Sequence, residues 1–144
     1  MATTPQAKDR ITCHVLDTSV GKAAAGVRVR LELTSTTAAA GPGGQQAASK
    51  TFESQTDDDG RINVWLPYSS ATSSGEVPVY TLEDVFGDVK GASRWTLRFD
   101  TASYYGETET FFPEVAVVFR VEEGQRYHVP LLLSPYGYST YRGT

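Results

Sequence analysis

Two histidines, His14 and His128, are the only imidazoles in the chain and its clearest candidates for acid–base chemistry. An imidazole has an unperturbed pKa of roughly 6.5, so it can accept and return a proton near neutral pH. Because side chains alternate along a strand, His14 shares a face with Leu16, and His128 shares one with Pro130 and Leu132. A single histidine in a strand is more often structural than catalytic. The pair therefore indicates a catalytic site only if the fold brings both together.

The segment that follows His128 is the second candidate element, because it looks structured where chain ends are usually polar and frayed. Its apolar run is followed by Ser134-Pro135-Tyr136-Gly137, which has the composition of a tight turn. We expect the strand through His128 to fold back onto a strand through Tyr141 as a hairpin. The closing tetrapeptide, 141–144, would then lie close to the imidazole.

Short strands must position these residues. Apolar and polar residues alternate at 27–34 and at 95–100, a period of two that places one strand face on a core. Residues 101–105 predict one short helical turn. The other runs with strand composition are 11–17, 50–56, 61–66, 115–121, 127–133 and 138–142. Several short strands without a long amphipathic helix predict an all-β protein, an antiparallel β-sandwich with one short helix.

The chain length of 144 residues predicts a single domain over residues 11–144, after a flexible N-terminus at 1–10. Two softer segments interrupt it at about 35–49 and 67–93. The first is rich in Ala, Thr, Gly and Gln and has few large apolar side chains, which favours a flexible loop. In the second, apolar residues such as Leu82 and Val85 could pack part of the segment onto the body.

Composition excludes several classes of function. A formal charge of -4 leaves no basic surplus for a phosphate backbone, so nucleic acid is not an expected partner. The apolar runs are too short to cross a membrane. Cys13 is the single cysteine, and the opening residues lack the apolar core of a secretory signal. We therefore expect a reducing compartment, the cytosol by default, with a peroxisomal location left open.

Three apparent motifs lack the context that their chemistry needs. Gly21-Lys22 does not have the spacing of a phosphate-binding loop. The stretch 57–60, Asp-Asp-Asp-Gly, resembles the start of a calcium loop, but Gln55 and Leu66 occupy two ligand positions, so a tight hairpin turn is favoured instead. Cys13 has no second cysteine with which to form a metal pair. No metal site is expected.

Three blocks together resemble the 5-hydroxyisourate hydrolases, the purine-catabolic branch of the transthyretin family. They are His14-Val15-Leu16-Asp17, then Asp59-Gly60-Arg61, and the closing HVPLLLSPYGYSTYRGT, which is the most specific of the three. The resemblance covers about 11–34, 50–66 and 94–144. This chain differs by its longer segments at 35–49 and 67–93, and by Thr144 where serine is commoner. The hormone carrier transthyretin lacks both histidines and this type of ending.

The resemblance implies a transthyretin-like, prealbumin-like sandwich assembled as a homotetramer, a dimer of dimers with active sites in a central channel. It implies hydrolytic opening of the lactam ring of 5-hydroxyisourate to 2-oxo-4-hydroxy-4-carboxy-5-ureidoimidazoline, in urate catabolism, without a metal or organic cofactor. The implied catalytic residues are His14, Arg61, His128 and Thr144. The implied substrate-binding residues are His14, Arg61, Tyr141, Arg142 and Gly143.

Each role matches the chemistry of its side chain. One of the two histidines would be the general base, and which one is left open. Arg61 and Arg142 would bind the anionic, oxygen-rich ring through planar guanidinium groups, although Arg61 alone could be a solvated turn cation. Tyr141 would close the channel floor or else be an exposed aromatic of an edge strand. The hydroxyl of Thr144, or a carboxylate at that residue, would orient the water.

Two other functions compete with the hydrolase. One is a transthyretin-like carrier that binds a small aromatic ligand without turnover, against which the two histidines argue. The other is an inert sandwich module that recognises carbohydrate or protein through aromatic rings. Its candidate residues are Trp65, Trp95, Tyr104 and Tyr105.

Overall fold

A computed structural model describes residues 8–36, 50–68 and 81–144, which form two packed β-sheets and two short helices. The elements are β1 (Ile11–Asp17), β2 (Lys22–Ala23), β3 (Arg28–Thr36), β4 (Lys50–Gln55), β5 (Arg61–Ile62), β6 (Leu66–Pro67), α1 (Leu82–Asp88), β7 (Ser93–Phe99), α2 (Thr101–Tyr105), β8 (Val115–Val121), β9 (Tyr127–Ser134) and β10 (Gly137–Thr140). Sheet 1 has the order β10-β9-β1-β2, with β5 also paired to β1, and sheet 2 has the order β6-β4-β3-β7-β8. The predicted all-β sandwich is confirmed.

The hydrophobic core lies between the two sheets and follows the predicted alternation. In β1, Ile11, Cys13 and Val15 are fully buried, as are Trp95 and Phe99 in β7. The residues between them in β1 point to the other side of sheet 1. The strand period therefore places every even-numbered residue of β1 and β9, both histidines included, on the outer face of sheet 1.

Trp65 and Trp95 belong to this core, so the aromatic recognition module is wrong. Trp65 is 3% exposed and Trp95 is fully buried. Each indole N–H has a hydrogen-bond partner inside the protein, the Ile11 carbonyl for Trp65 and the Ser93 hydroxyl for Trp95. Burying these rings stabilises the sandwich and leaves them unavailable to a partner.

The two tyrosines of α2 also stabilise the fold, because they form hydrogen bonds to the last residue of β1. The hydroxyls of Tyr104 and Tyr105 each donate a 2.9 Å hydrogen bond to the carboxylate of Asp17. Burial opposes ionisation of Asp17, but hydrogen bonds from Ser19 and the two tyrosines outweigh burial and lower its pKa. Burial and the adjacent carboxylate raise the pKa of Tyr104 to about 12.

One strand pair in the sandwich is parallel. β1 pairs with β9 in parallel over seven positions, from Ile11 opposite Tyr127 to Asp17 opposite Leu133, whereas the other pairings within the described ranges are antiparallel. The predicted antiparallel sandwich is confirmed in its main features, but the sequence did not indicate this parallel pair. Its consequence is that the N-terminal strand lies beside a strand near the other end of the chain.

The turn at 57–60 connects the two sheets, so the predicted hairpin across it is wrong. β4 before the turn belongs to sheet 2, and β5 after it pairs with β1 in sheet 1. The predicted strand at 61–66 is likewise divided between β5 and β6, which lie in different sheets. The Asp-Gly sequence does specify a tight turn, but it does not specify which strands the turn connects.

Helix α1 was not predicted, whereas α2 confirms the predicted helical turn. Thr81 caps α1: its hydroxyl accepts the N–H of Asp84, and the Asp84 carboxylate accepts the N–H of Thr81. Leu82 and Val85 are buried, as the sequence suggested for part of this soft segment. Within the described ranges, neither helix has the length and apolar composition needed to span a membrane. Most of the soft segments, 37–49 and 69–80, lies outside the described residues.

Candidate active site

The parallel pair β1–β9 brings the two histidines to one place on the outer face of sheet 1. Thr12 lies opposite His128, and His14 lies opposite Pro130. The centroids of the two imidazole rings are 6.4 Å apart, with the ring planes tilted by 33°. Both side chains are half-buried. The condition set by the sequence, that the fold bring both histidines together, is met.

Arg61 joins the histidines from the other side of β1. β5 pairs antiparallel with β1, and Arg61 lies directly opposite His14. Residues opposite each other in a pair present their side chains to the same face of the sheet. Arg61 thus lies on the outer face of sheet 1 with both imidazoles.

A built turn fixes the position of Arg61. The carboxylate of Asp57 accepts the backbone N–H groups of Asp59 and Arg61, each at 2.9 Å. Gly60 has a φ of +74°, and a Cβ atom there would lie 2.4 Å from the carbonyl oxygen of Val15. Only glycine fits both the conformation and the close approach to β1. The turn at Asp57–Gly60 therefore positions Arg61, and the carboxylate of Asp57 stabilises the turn.

The closing residues return to His128, as predicted. β10 pairs with β9 as a hairpin, and beyond it the N–H of Gly143 donates a 2.8 Å hydrogen bond to the carbonyl oxygen of His128. A Cβ atom on Gly143 would lie 2.8 Å from Cδ2 of His128 and 3.1 Å from Cγ of Pro130. The chain thus packs directly against the imidazole ring, which requires glycine at position 143.

A cleft of about 600 Å³ opens beside these residues. Arg61, His128, Arg142, Gly143 and Thr144 all line it. Its further cationic residues are Lys8, Arg10 and Arg126, and Asp9 is its acidic residue. The guanidinium of Arg142 is held 4.6 Å above the ring of Tyr127. The excess of positive charge makes the cleft suited to an anionic ligand.

The cleft also determines the protonation of His128. Burial lowers the pKa of His128, and the nearby positive charges of Arg61, His14 and Lys8 lower it further. This shift favours the neutral form of the ring. A neutral imidazole has one nitrogen that accepts a proton and one that donates a hydrogen bond. Such a ring next to bound water and a carbonyl group can support hydrolysis.

Two predicted site residues do not line this cleft. The ring of His14 lies next to that of His128, with 6.4 Å between the ring centroids, but His14 is not among the residues that line the cleft. Tyr141 lies in a different place. It is 59% exposed and lines a separate cleft of about 370 Å³, together with β8 residues such as Val117 and Phe119. Arg142 borders both clefts. In a single chain, Tyr141 therefore does not share the cleft of His128.

Several residues of the cleft were missed from the sequence. Thr12 is two positions before His14, and Asn63 is two positions after Arg61, so strand periodicity could have indicated both. Lys8 and Arg126 come from segments next to β1 and β9 whose meeting depends on the parallel pairing. Nothing in the local sequence indicates this parallel pairing. Among the described residues, no group of three or more His, Cys, Asp or Glu side chains is placed to hold a metal ion.

Two packed sheets with a cationic, imidazole-containing cleft on the outer face of one define a transthyretin-like β-sandwich. More particularly, the chain belongs to the HIUase/Transthyretin family, whose model matches residues 11–143.

Known relatives are consistent with this placement. A probable 5-hydroxyisourate hydrolase of Schizosaccharomyces pombe is 35% identical over 136 residues, which cover 93% of this chain and 90% of that protein. The uric acid degradation bifunctional protein TTL of Arabidopsis thaliana is 40% identical over 141 residues; the match covers 93% of this chain but 37% of that longer protein. The structure of Klebsiella pneumoniae 5-hydroxyisourate hydrolase aligns with a TM-score of 0.55 at 26% identity, covering 93% of this chain and 98% of that one.

Proposed function

We propose that this chain is a 5-hydroxyisourate hydrolase, a cyclic amide hydrolase of urate catabolism that works without a metal ion. The observation on which the proposal rests is the meeting of His14, His128, Arg61 and the closing segment on one face of sheet 1. The names of its relatives, which act on this substrate, support the same assignment.

The proposed reaction adds water across a lactam bond. The water oxygen bonds to the ring carbonyl carbon while a proton leaves the water, the C–N bond then breaks, and the released nitrogen takes up a proton. One of His14 and His128 acts as general base and returns the proton; His128 lines the cleft, and the ring of His14 lies next to it, with 6.4 Å between the ring centroids. Such catalysis supplies on the order of 10² to 10⁴ in rate, or about 3 to 5 kcal/mol.

The remaining proposed roles concern binding. Arg61 and Arg142 bind the anionic ring oxygens through their guanidinium forks, which the positive cleft supports. Gly143 presents the closing backbone to the substrate, and Thr144 orients the water. In the single chain Tyr141 lines a different cleft. Its proposed contact with substrate is therefore one made in the assembled protein.

We further propose that the protein is a homotetramer, a dimer of dimers, with its sites in a channel between subunits. In the described part of the chain, β8 pairs only with β7 and β10 only with β9, so each presents an open strand edge. Open edges and exposed apolar residues favour pairing with another copy. Val118 on β8 is 61% exposed and Tyr138 on β10 is 42% exposed. The proposed location is the cytoplasm, with peroxisomes as the other compartment to examine.

The test is a coupled assay in which urate oxidase generates fresh 5-hydroxyisourate and the loss of its ultraviolet absorbance is followed. The protein should accelerate that loss, and His128→Ala and Arg61→Ala should each remove the acceleration. Arg94→Ala, which changes an exposed strand arginine on sheet 2, is the matched control and should behave as the wild type. Decay at the buffer rate with wild-type protein would favour the carrier instead.

A further inference from the structure

Thr12 is a neighbour of His128 that the proposed mechanism has not used. It lies opposite His128 in the β1–β9 register, and it is 8% exposed. Its Oγ1 is 2.8 Å from Nδ1 of His128, the distance of a well-formed hydrogen bond. One ring nitrogen of His128, Nδ1, is therefore held by a hydroxyl group on the adjacent strand.

The direction of this hydrogen bond follows from counting protons and acceptors. A threonine hydroxyl has one proton to donate, and in the parts of the chain that the structure describes Nδ1 of His128 is the only hydrogen-bond partner of the Thr12 side chain. If Nδ1 carried the proton and donated, the hydroxyl proton of Thr12 would have no acceptor among the described protein groups, and Thr12 is only 8% exposed, so leaving this donor without a protein partner is unfavourable. The arrangement that pairs both groups within the protein is the one in which the hydroxyl donates to Nδ1.

We infer that Thr12 is a positioning residue that holds His128 in the neutral tautomer protonated at Nε2. Cδ2 of the same ring faces Gly143, and in the described residues Nε2 has no protein partner, so its N–H is free to meet a ligand in the cleft. The lowered pKa of His128 acts in the same direction, because it keeps the ring neutral. His128 is thereby an N–H donor, comparable to the donors of an oxyanion hole.

If the proposed function holds, this tautomer assigns a different role to each histidine: His128 is the hydrogen-bond donor and His14 is the general base. With its Nδ1 lone pair engaged and Nε2 protonated, His128 donates a hydrogen bond to the carbonyl oxygen of the substrate and stabilises the negative charge that develops there. A ring nitrogen of His14 takes the proton from water, whose oxygen bonds to the carbonyl carbon. When the C–N bond breaks, that proton passes from His14 to the released nitrogen.

The tautomer is tested without turnover by long-range ¹H–¹⁵N correlation spectra of the labelled full chain above pH 7.5, in which protonated and unprotonated ring nitrogens have distinct shifts. The two histidines are distinguished by recording His14→Gln as well. We expect Nδ1 of His128 to be the unprotonated nitrogen and Nε2 the protonated one. Thr12→Val should move both shifts toward values averaged over two tautomers, and Thr12→Ser should not. A protonated Nδ1 in the wild type, or unchanged shifts in Thr12→Val, would overturn the inference.

Steady-state kinetics tests the positioning role of Thr12. Thr12→Val should lower kcat about tenfold with KM within about twofold, and Thr12→Ser should recover most of the loss. Thr18→Val is the matched control, because it removes a 3.0 Å hydroxyl hydrogen bond to the Leu133 carbonyl at the other end of the strand pair, and it should leave kcat unchanged. An equal loss in Thr12→Val and Thr18→Val would indicate a structural role only.

A glutamine at position 128 separates donor from base, since its amide can donate an N–H but cannot accept a proton. His128→Gln should retain at least about ten times the activity of His128→Ala, whereas His14→Gln should be as inactive as His14→Ala. Equal inactivity of His128→Gln and His128→Ala would refute the donor role. Absence of hydrolysis in the wild type would refute the proposed function instead, while the spectra would still decide the tautomer.

Discussion

Replacing Gly143 by alanine tests whether contact between the closing segment and His128 matters for catalysis. The added Cβ would lie 2.8 Å from Cδ2 of His128 and 3.1 Å from Cγ of Pro130. Carbon atoms pack at about 3.5 to 4.0 Å, so the imidazole or the closing segment must move by roughly 0.7 Å or more. Misplacement of a reacting group by about 1 Å can cost on the order of 10²-fold in rate, or about 2.7 kcal/mol. We expect Gly143→Ala to lower kcat/KM by about that factor.

The matched control for this variant is Gly137→Ala in the same hairpin. A Cβ atom on Gly137 would meet Oγ of Ser134 at 3.6 Å, which is an ordinary contact, so activity should stay near the wild-type value. The coupled urate oxidase assay gives the rates, and thermal unfolding separates lost activity from lost stability. If Gly143→Ala hydrolyses 5-hydroxyisourate at the wild-type rate, the contact between this glycine and His128 does not position the catalytic ring.

Three further predictions follow from the site and the strand edges. Extending the chain beyond Thr144 with an affinity tag should reduce activity at least tenfold, because Thr144 lines the cleft, whereas a tag before residue 1 should not; equal activities would remove Thr144 from the site. Light scattering should give a native mass near four chains, and an active monomer would contradict the channel. Titration of His128 followed by its own NMR signals should have its midpoint below 6.5, because burial and the charges of Arg61, His14 and Lys8 lower the pKa of His128; a midpoint above 6.5 would contradict the requirement for a neutral ring.

The same shift predicts how stability depends on pH. Between the lowered pKa of folded His128 and about 6.5, the unfolded chain binds more protons at this residue than the folded chain does. The contribution of His128 to the free energy of unfolding therefore increases with pH across that interval.

Local patterns in the sequence predicted the parts of the fold that depend on local chemistry. The turn residues from Ser134 to Gly137 specified the β9–β10 hairpin, and strand periodicity placed His14 and His128 on definite faces. These predictions succeed because side-chain alternation and turn conformation are properties of a few neighbouring residues.

Pairing between distant segments could not be predicted in the same way. Nothing in residues 11–17 indicates that β1 pairs with β9 in parallel, or that its register places Thr12 opposite His128. The turn at 57–60 predicted a hairpin, although the strands on either side of it belong to different sheets. Tyr141 was assigned to the site from the resemblance, while the chain turns its side chain toward β8. Only the tertiary structure could therefore show that the two histidines lie close together.

The parallel pairing of β1 with β9 also affects how the protein is made. During synthesis on the ribosome, β1 is translated well before β9, because β2 to β8 lie between them in the sequence. Until β9 is made, the nascent chain must keep one edge of the apolar strand β1 without its partner, a state that favours aggregation. Closing such a long loop is entropically slow, so β1–β9 pairing is a late folding event. Activity should consequently appear only after β9 has been translated, and fragments lacking either β1 or β9 should have none.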